Sequence, residues 1–73
     1  MDDKAKVALA ASMNARIVFG MAATAAERAG DALLGVDEGV VDALHDLAEV
    51  LPRMERVLDE LENRLIAEAV LNG

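Results

Sequence analysis

The sequence predicts an all-α fold: an antiparallel helical hairpin that pairs with a second copy to form a four-helix bundle. Apolar residues make up 55% of the chain, yet Phe19 is its single aromatic residue, which is a composition typical of packed helices. Each half of the chain carries an apolar repeat with helical spacing. One short glycine-containing break separates the halves, so we expect helix one over about residues 3–34, a turn at 35–37 and helix two over about 38–71.

Helix one is predicted from a proline-free segment that carries a stripe of small side chains. Asp2 or Asp3 can cap its N-terminus, because a carboxylate there accepts a hydrogen bond from a free backbone N–H. Small side chains let a second helix approach closely, so we predict that the stripe is the dimer interface. The stripe repeats every three or four residues and consists of Ala8, Ala11, Ala15, Val18, Ala22, Ala25 and Ala29.

A second apolar set lies to one side of this stripe and consists of Leu9, Met13, Ile17 and Met21. A helix that is apolar on more than one side is usually surrounded by protein. Methionine side chains are flexible and suit adaptable contacts. We therefore predict that this second set binds another protein.

Gly35 and Asp37 mark the turn and the start of helix two. Glycine adopts the left-handed conformation that ends many helices, and an aspartate placed after it can cap the next helix. Helix two then carries a heptad seam, as in a coiled coil, which we interpret as the core stripe of the hairpin. The seam consists of Val40, Leu44, Leu47, Leu51, Met54, Leu58, Leu61 and Leu65.

Pro52 interrupts the expected hydrogen-bond ladder of helix two, because proline lacks a backbone N–H and crowds the carbonyl group of Ala48. The seam keeps its phase across Pro52, which falls on the outward side of the helix. We therefore predict a kinked but continuous helix. A break into two helices near residues 50–51 is the alternative.

Self-association is predicted from the size of the chain. A two-helix hairpin of 73 residues buries less apolar surface than a compact globule, and the absence of cysteine excludes a stabilising disulfide. Association with a second copy is the remaining route to stability. The arrangement resembles the small dimeric hairpin bundles of the Rop type in architecture, although no residue motif matches and no function is carried over.

Negative charge is concentrated on the second half of the chain. Residues 1–36 carry four basic and four acidic side chains, whereas residues 37–73 carry ten acidic and three basic ones, which accounts for the net charge of −7. Two interpretations stay open: a solvated face that keeps a small bundle soluble, or a docking surface for a basic partner such as a DNA-binding protein. Direct nucleic-acid binding is not expected, because the chain has no basic patch. The acidic residues assigned to this surface are Asp42, Asp46, Glu49, Asp59 and Glu60.

No catalytic, cofactor or metal site is predicted. His45 shares a helix face with Asp42 and Glu49, a spacing that can bind a metal, but we interpret His45 as an exposed structural residue. Ser12 has no histidine or lysine at the spacing that activates a nucleophile. The sequence therefore favours a protein that is not an enzyme.

The predicted function is that of a small protein-binding module that inhibits, sequesters or scaffolds another protein, such as a regulator of host proteins encoded by a phage or mobile element. The alternative is a structural or assembly component, such as a secretion chaperone or a virion part. We expect a cytoplasmic protein with no membrane partner. A signal peptide or membrane span over residues 7–26 is the alternative, and the charge of Arg16 near its centre opposes it.

Overall fold

The chain is an all-α helical hairpin, as predicted. The structure, a computed structural model, describes residues 2–72, which form α1 (Asp3–Ala32) and α2 (Glu38–Asn72) with no strand in that range. The helices are antiparallel, because Ser12 near the start of α1 contacts Glu62 near the end of α2 and Asp31 contacts His45. The hairpin measures 56 × 15 × 13 Å.

Both ends of α1 are closed by hydrogen bonds. The Asp2 carboxylate accepts the backbone N–H of Ala5 at 2.7 Å, so Asp2 is the N-cap. At the other end, the N–H of Leu33 is shared between the carbonyl groups of Ala29 and Gly30 at 3.1 and 3.2 Å. This sharing tightens the last turn, and α1 ends at Ala32, two residues earlier than expected.

The turn that joins the helices uses the predicted residues. Gly35 has a φ of +82°, a backbone conformation that costs little only for glycine. The carboxylate of Asp37 accepts the N–H of Val40 at 3.2 Å, as expected of an N-cap, and that of Glu38 reaches back to the N–H of Gly35 at 2.7 Å. The first bond satisfies a backbone donor in the first turn of α2, and the second satisfies one in the connecting turn.

α2 continues through Pro52 without a break, so the alternative of two separate helices is wrong. Pro52 is exposed, as its outward position in the heptad repeat predicted. The kink expected at Pro52 stays a prediction.

The heptad seam of α2 is only partly core, which corrects the interpretation from the sequence. Leu51 is buried, whereas Val40, Leu47 and Met54 are 43–45% exposed. The row of α2 that faces α1 contains Leu44, Leu51, Leu58 and Leu65 from the seam, with the remaining positions supplied by Val41, Ala48, Glu55, Glu62 and Ala69. The other half of the seam lies one residue to the side, because one helix can turn only one narrow stripe toward a single neighbour.

The hairpin by itself leaves an unusually large surface in water. A compact chain of this length has a radius of gyration of about 11 Å, and that of the hairpin is 16.6 Å. Its accessible surface is 5283 Å², compared with about 4,300 Å² for a compact protein of this mass. The buried apolar residues in the described range are the small or medium-sized Ala26, Val41 and Leu51.

Candidate functional site

Two rows of side chains face each other across the hairpin. Each row repeats every three or four residues, and every member is buried or half-buried. On α1 and its C-cap the row consists of Ala5, Leu9, Ser12, Arg16, Phe19, Ala23, Ala26, Gly30 and Leu33. On α2 it consists of Val41, Leu44, Ala48, Leu51, Glu55, Leu58, Glu62, Leu65 and Ala69.

The residues one position after these rows share one side of the hairpin, which we call the charged face. Glu27 and Asp31 of α1 line one groove together with His45 and Glu49 of α2. Each of these four residues follows a member of its row by one position. Successive residues differ by about 100° around a helix, so the residues one position before the rows share the opposite side.

Over residues 8–29 of α1 and 40–61 of α2 that opposite side carries no charged side chain, and we call this stretch the apolar face. Lys4, Arg64 and Glu68 continue the same positions beyond it, at the end away from the turn. On α1 the apolar face consists of Ala8, Ala11, Ala15, Val18, Ala22, Ala25 and Ala29. On α2 it consists of Val40, Ala43, Leu47, Val50, Met54, Val57 and Leu61. All of these residues are exposed or half-buried, so the hairpin leaves an apolar surface that spans both helices.

The predicted dimer-interface residues of α1 thus lie together on one surface. Ala15, Ala22 and Ala29 are half-buried beside α2, and the other four are exposed. Sequence reasoning missed the contribution of α2, because Val40, Leu47, Met54 and Leu61 had been assigned to the core of the hairpin. The sequence did contain a sign of this second apolar stripe on α2, since Ala43, Val50 and Val57 lie outside the seam and alternate with Val40, Leu47, Met54 and Leu61 at spacings of three and four residues.

The levels of the two stripes follow from contacts across the hairpin. Gly20 lies beside the carboxylate of Glu55, and Gly30 lies beside the imidazole of His45. Counting outward from these contacts places small residues of α1 level with large residues of α2. The level pairs are Ala15 with Leu61, Ala22 with Met54 and Ala29 with Leu47.

The predicted partner-binding set of α1 is divided by the structure. Leu9 is half-buried in the row that faces α2, whereas Met13, Ile17 and Met21 are 44–69% exposed. Ile17 and Met21 line an open groove of about 550 Å³. The other residues that line this groove are Arg16, Gly20, Thr24, Ala25, Arg28 and Glu55.

The five predicted acidic residues are all exposed. Asp42, Glu49 and Asp59 belong to the charged face, and Asp46 and Glu60 lie on the back of α2, away from α1. They are distributed along the helix and do not converge on one point. Such an arrangement favours a broad electrostatic surface over a defined binding pocket.

A buried polar cluster, which the sequence analysis did not identify, joins the helices. Glu62 is 4% exposed and Ser12 is 5% exposed. The Glu62 carboxylate accepts two hydrogen bonds from Arg16, at 2.9 and 3.0 Å, and one from the Ser12 hydroxyl at 3.1 Å. A sign of this cluster was available, because Glu62 stands between Leu58 and Leu65 at the spacing of the row that faces α1.

The cluster changes the acidity of its members. Hydrogen bonding from Arg16 lowers the pKa of Glu62, and the Ser12 hydroxyl and the Arg16 charge act in the same direction, although burial opposes them. The hydrogen bond to Glu62 and its negative charge raise the pKa of Arg16. The two side chains therefore form a charged pair at neutral pH.

His45 was expected to be an exposed structural residue, but its side chain is turned toward α1 and is only partly exposed. Its Nε2 lies 3.1 Å from Oδ1 of Asp31, and its ring occupies the space beside Gly30 where any other residue would place a Cβ atom. Among the described residues, no group of three or more histidine, cysteine, aspartate or glutamate side chains could hold a metal ion.

α1 is long and apolar enough to cross a membrane by length and composition. An 18-residue window of α1 has a mean hydropathy of 1.3, and 6% of that window is buried. A core helix of a soluble protein and a signal sequence have the same properties, so this is weak evidence for a membrane location. Arg16 lies within the helix and is paired with Glu62 of α2.

Comparisons with known proteins add no family or relative. No protein-family model matches this chain, and no match was found among curated proteins or among solved structures.

Proposed function

We propose that the protein is a non-enzymatic protein-binding module that works as a homodimer, in which two hairpins pair through their apolar faces as a four-helix bundle. The observation that carries the proposal is the apolar face itself: a continuous, uncharged surface made by both helices. Surfaces of this kind in soluble proteins usually mark an interaction site.

The area of the apolar face fits a stable dimer. The apolar face runs along about 33 Å of each helix at 1.5 Å per residue and the hairpin is 15 Å wide, so two copies would bury roughly 1,000 Å² in total, the smallest area expected of a specific interface. The hairpin exposes about 1,000 Å² more than a compact protein of its mass. Pairing of two copies would therefore remove about half of this excess from each hairpin.

The net charge of the chain favours a second copy of the protein as the partner that covers the apolar face. Each chain carries a net charge of −7, so two copies repel one another unless they meet through uncharged surface. The apolar face supplies that surface, and the same patch on both copies is what a two-fold dimer requires.

The charged face and the back of α2 would remain exposed in such a dimer and would bind the target protein. Ile17 and Met21 would supply apolar contacts, and the exposed carboxylates of α2 favour a basic target such as a DNA-binding protein. By this route the module would inhibit, sequester or scaffold its target in the cytoplasm. The alternative is a structural or assembly component, which the same exposed residues would join into larger assemblies.

Sedimentation equilibrium tests the dimer. We expect the wild-type protein to sediment as a dimer at micromolar concentration and the variant Leu47→Asn to shift strongly toward monomer. Leu47 is 45% exposed on the apolar face, so the variant buries a polar group only if that face is covered. A folded wild-type monomer at these concentrations would refute the proposal.

The matched control is Ile66→Asn. Ile66 is 48% exposed, belongs to α2 and follows Leu65 on the charged face, so its replacement should leave the dimer intact. Light scattering over a range of concentrations separates the two functions: a binding module stays a discrete dimer, whereas an assembly component grows in mass.

A further inference from the structure

We propose that the two hairpins pair about a two-fold axis parallel to the helices, so that α1 of each copy packs on α2 of the other and both turns lie at the same end. This inference rests on the proposed dimer and specifies its interior. It predicts which residues meet across the interface and how the target-binding surfaces are arranged.

Two arrangements bring the apolar faces of identical hairpins together with two-fold symmetry. If the axis runs along the helices, α1 lies over α2 of the second copy and the turns share one end. If the axis lies across the helices, α1 lies over α1 and α2 over α2, and the turns are at opposite ends. Both arrangements bury the same face, so the choice depends on the residues within it.

Side-chain size favours the parallel axis. A rotation about that axis preserves the level of every residue along the bundle. Ala22 of one copy then lies at the same level along the bundle as Met54 of the other copy, and Ala29 lies at the same level as Leu47. Small side chains opposite large ones give even spacing between helices and interdigitated layers, whereas pairing like with like would set two alanine stripes together and two rows of large side chains together.

Charge favours the same axis. α2 carries nine carboxylates and three arginines, and Asp37 just before it adds a tenth carboxylate. In contrast, α1 is almost neutral. The crosswise axis would place the two acidic helices side by side, within 8–10 Å, a typical distance between packed helices. The parallel axis places each α2 between two copies of α1 and separates the acidic helices along the diagonal of the bundle, which weakens their repulsion.

The parallel axis gives the dimer two different ends. One end would present both turns, each with exposed Leu34 and Val36, close to the acidic first turns of α2. A target that contacts this end would meet two copies of the turn at once and would gain affinity from the pairing.

Distance measurement between spin labels tests the axis. The chain has no cysteine, so Val36→Cys provides one labelling site, and Val36 is 75% exposed, so the label should leave the fold intact. We expect a distance below about 30 Å between the two labels, because packed helices lie 8–10 Å apart. A distance near the 56 Å length of the hairpin would overturn the parallel axis and leave the proposed dimer standing.

A mixed dimer gives the reciprocal measurement. Val70 is 78% exposed near the other end of the hairpin, so Val36→Cys on one copy and Val70→Cys on the other should give a long distance with the parallel axis and a short one with the crosswise axis. If no sample shows coupling between labels and sedimentation shows monomers, the proposed dimer fails as well, and the inference falls with it.

Discussion

The guanidinium group of Arg16 and the carboxylate of Glu62 form a bidentate salt bridge across the hairpin, with Nε–Oε2 and Nη2–Oε1 distances of 2.9 and 3.0 Å. Both oxygens of the carboxylate are used, and Ser12 adds a third hydrogen bond. Two-point pairing fixes direction as well as distance. A slip of α2 by one turn would leave the buried carboxylate without its partner, so the pair favours a single alignment of the two helices.

The first prediction concerns the pH dependence of stability. The pKa of Glu62 is lowered in the folded protein, so its charged pair contributes stability that is complete above its ordinary value of 4.5 and is lost as the pH falls through the lower folded value. We expect Glu62→Gln to melt at a lower temperature than the wild-type protein at pH 7, with a difference that shrinks below about pH 4. Thermal unfolding from pH 3 to 7 measures it.

The control for that prediction is Glu60→Gln, which removes an exposed carboxylate from the same helix. Exposed carboxylates contribute little through pairing, so its melting temperature should follow that of the wild-type protein at every pH. A constant difference between Glu62→Gln and the wild-type protein down to pH 3 would contradict the assignment.

The second prediction couples Gly30 to His45. A Cβ atom at Gly30 would lie 2.5 Å from Cδ2 of His45, so Gly30→Ala must displace the imidazole and break its contact with Asp31. Alanine is favoured over glycine within a helix by about 1 kcal/mol. We expect this gain to be lost when Gly30→Ala is made in the wild-type protein and recovered when it is combined with His45→Ala. Urea denaturation of the wild-type protein, both single variants and the double variant measures the difference.

Gly20→Ala is the matched control in α1. Its Cβ atom would lie 3.5 Å from Oε1 of Glu55, an ordinary contact, so the variant should gain up to about 1 kcal/mol with no dependence on His45. Equal effects of Gly20→Ala and Gly30→Ala on the free energy of unfolding would show that His45 does not occupy the space beside Gly30.

The third prediction concerns the turn. Gly35 has a positive φ, and a side chain in this conformation costs about 1–2 kcal/mol. Gly35→Ala should therefore lower the free energy of unfolding by about this amount, although its Cβ atom would meet no other atom. Gly39→Ala, within α2, should leave the stability unchanged or raise it. The two variants must be compared at equal protein concentration, since dimerisation adds to stability.

The fourth prediction concerns the alanine stripe. Ala25→Leu adds volume to the apolar face, and if that face is packed against a second copy the overpacking costs about 1–3 kcal/mol. The loss should be seen as a higher dissociation constant of the dimer by sedimentation. Ala10→Leu is the control, because Ala10 is exposed outside the apolar face. Equal dimer fractions for both variants would argue against a packed interface at Ala25.

The sequence by itself determined the elements of this protein. Gly35 and Asp37 supply conformational preferences that act within a few residues. These preferences placed the start of α2 correctly, whereas α1 ends two residues earlier than expected. Helical periodicity also identified the alanine stripe as a continuous surface. Such local signals do not depend on what the rest of the chain does.

Only the tertiary structure decided which of two overlapping stripes each helix turns toward its neighbour. The heptad seam of α2 and the row that faces α1 share four leucines and differ by a rotation of the helix, and sequence periodicity alone does not favour one rotation. The rotation is fixed by contacts between distant residues: Glu62 reaches Arg16, and His45 crosses to Gly30. These contacts turn Leu47 and Met54 outward, because a hairpin offers each helix a single neighbour and the remaining apolar side chains stay on the surface.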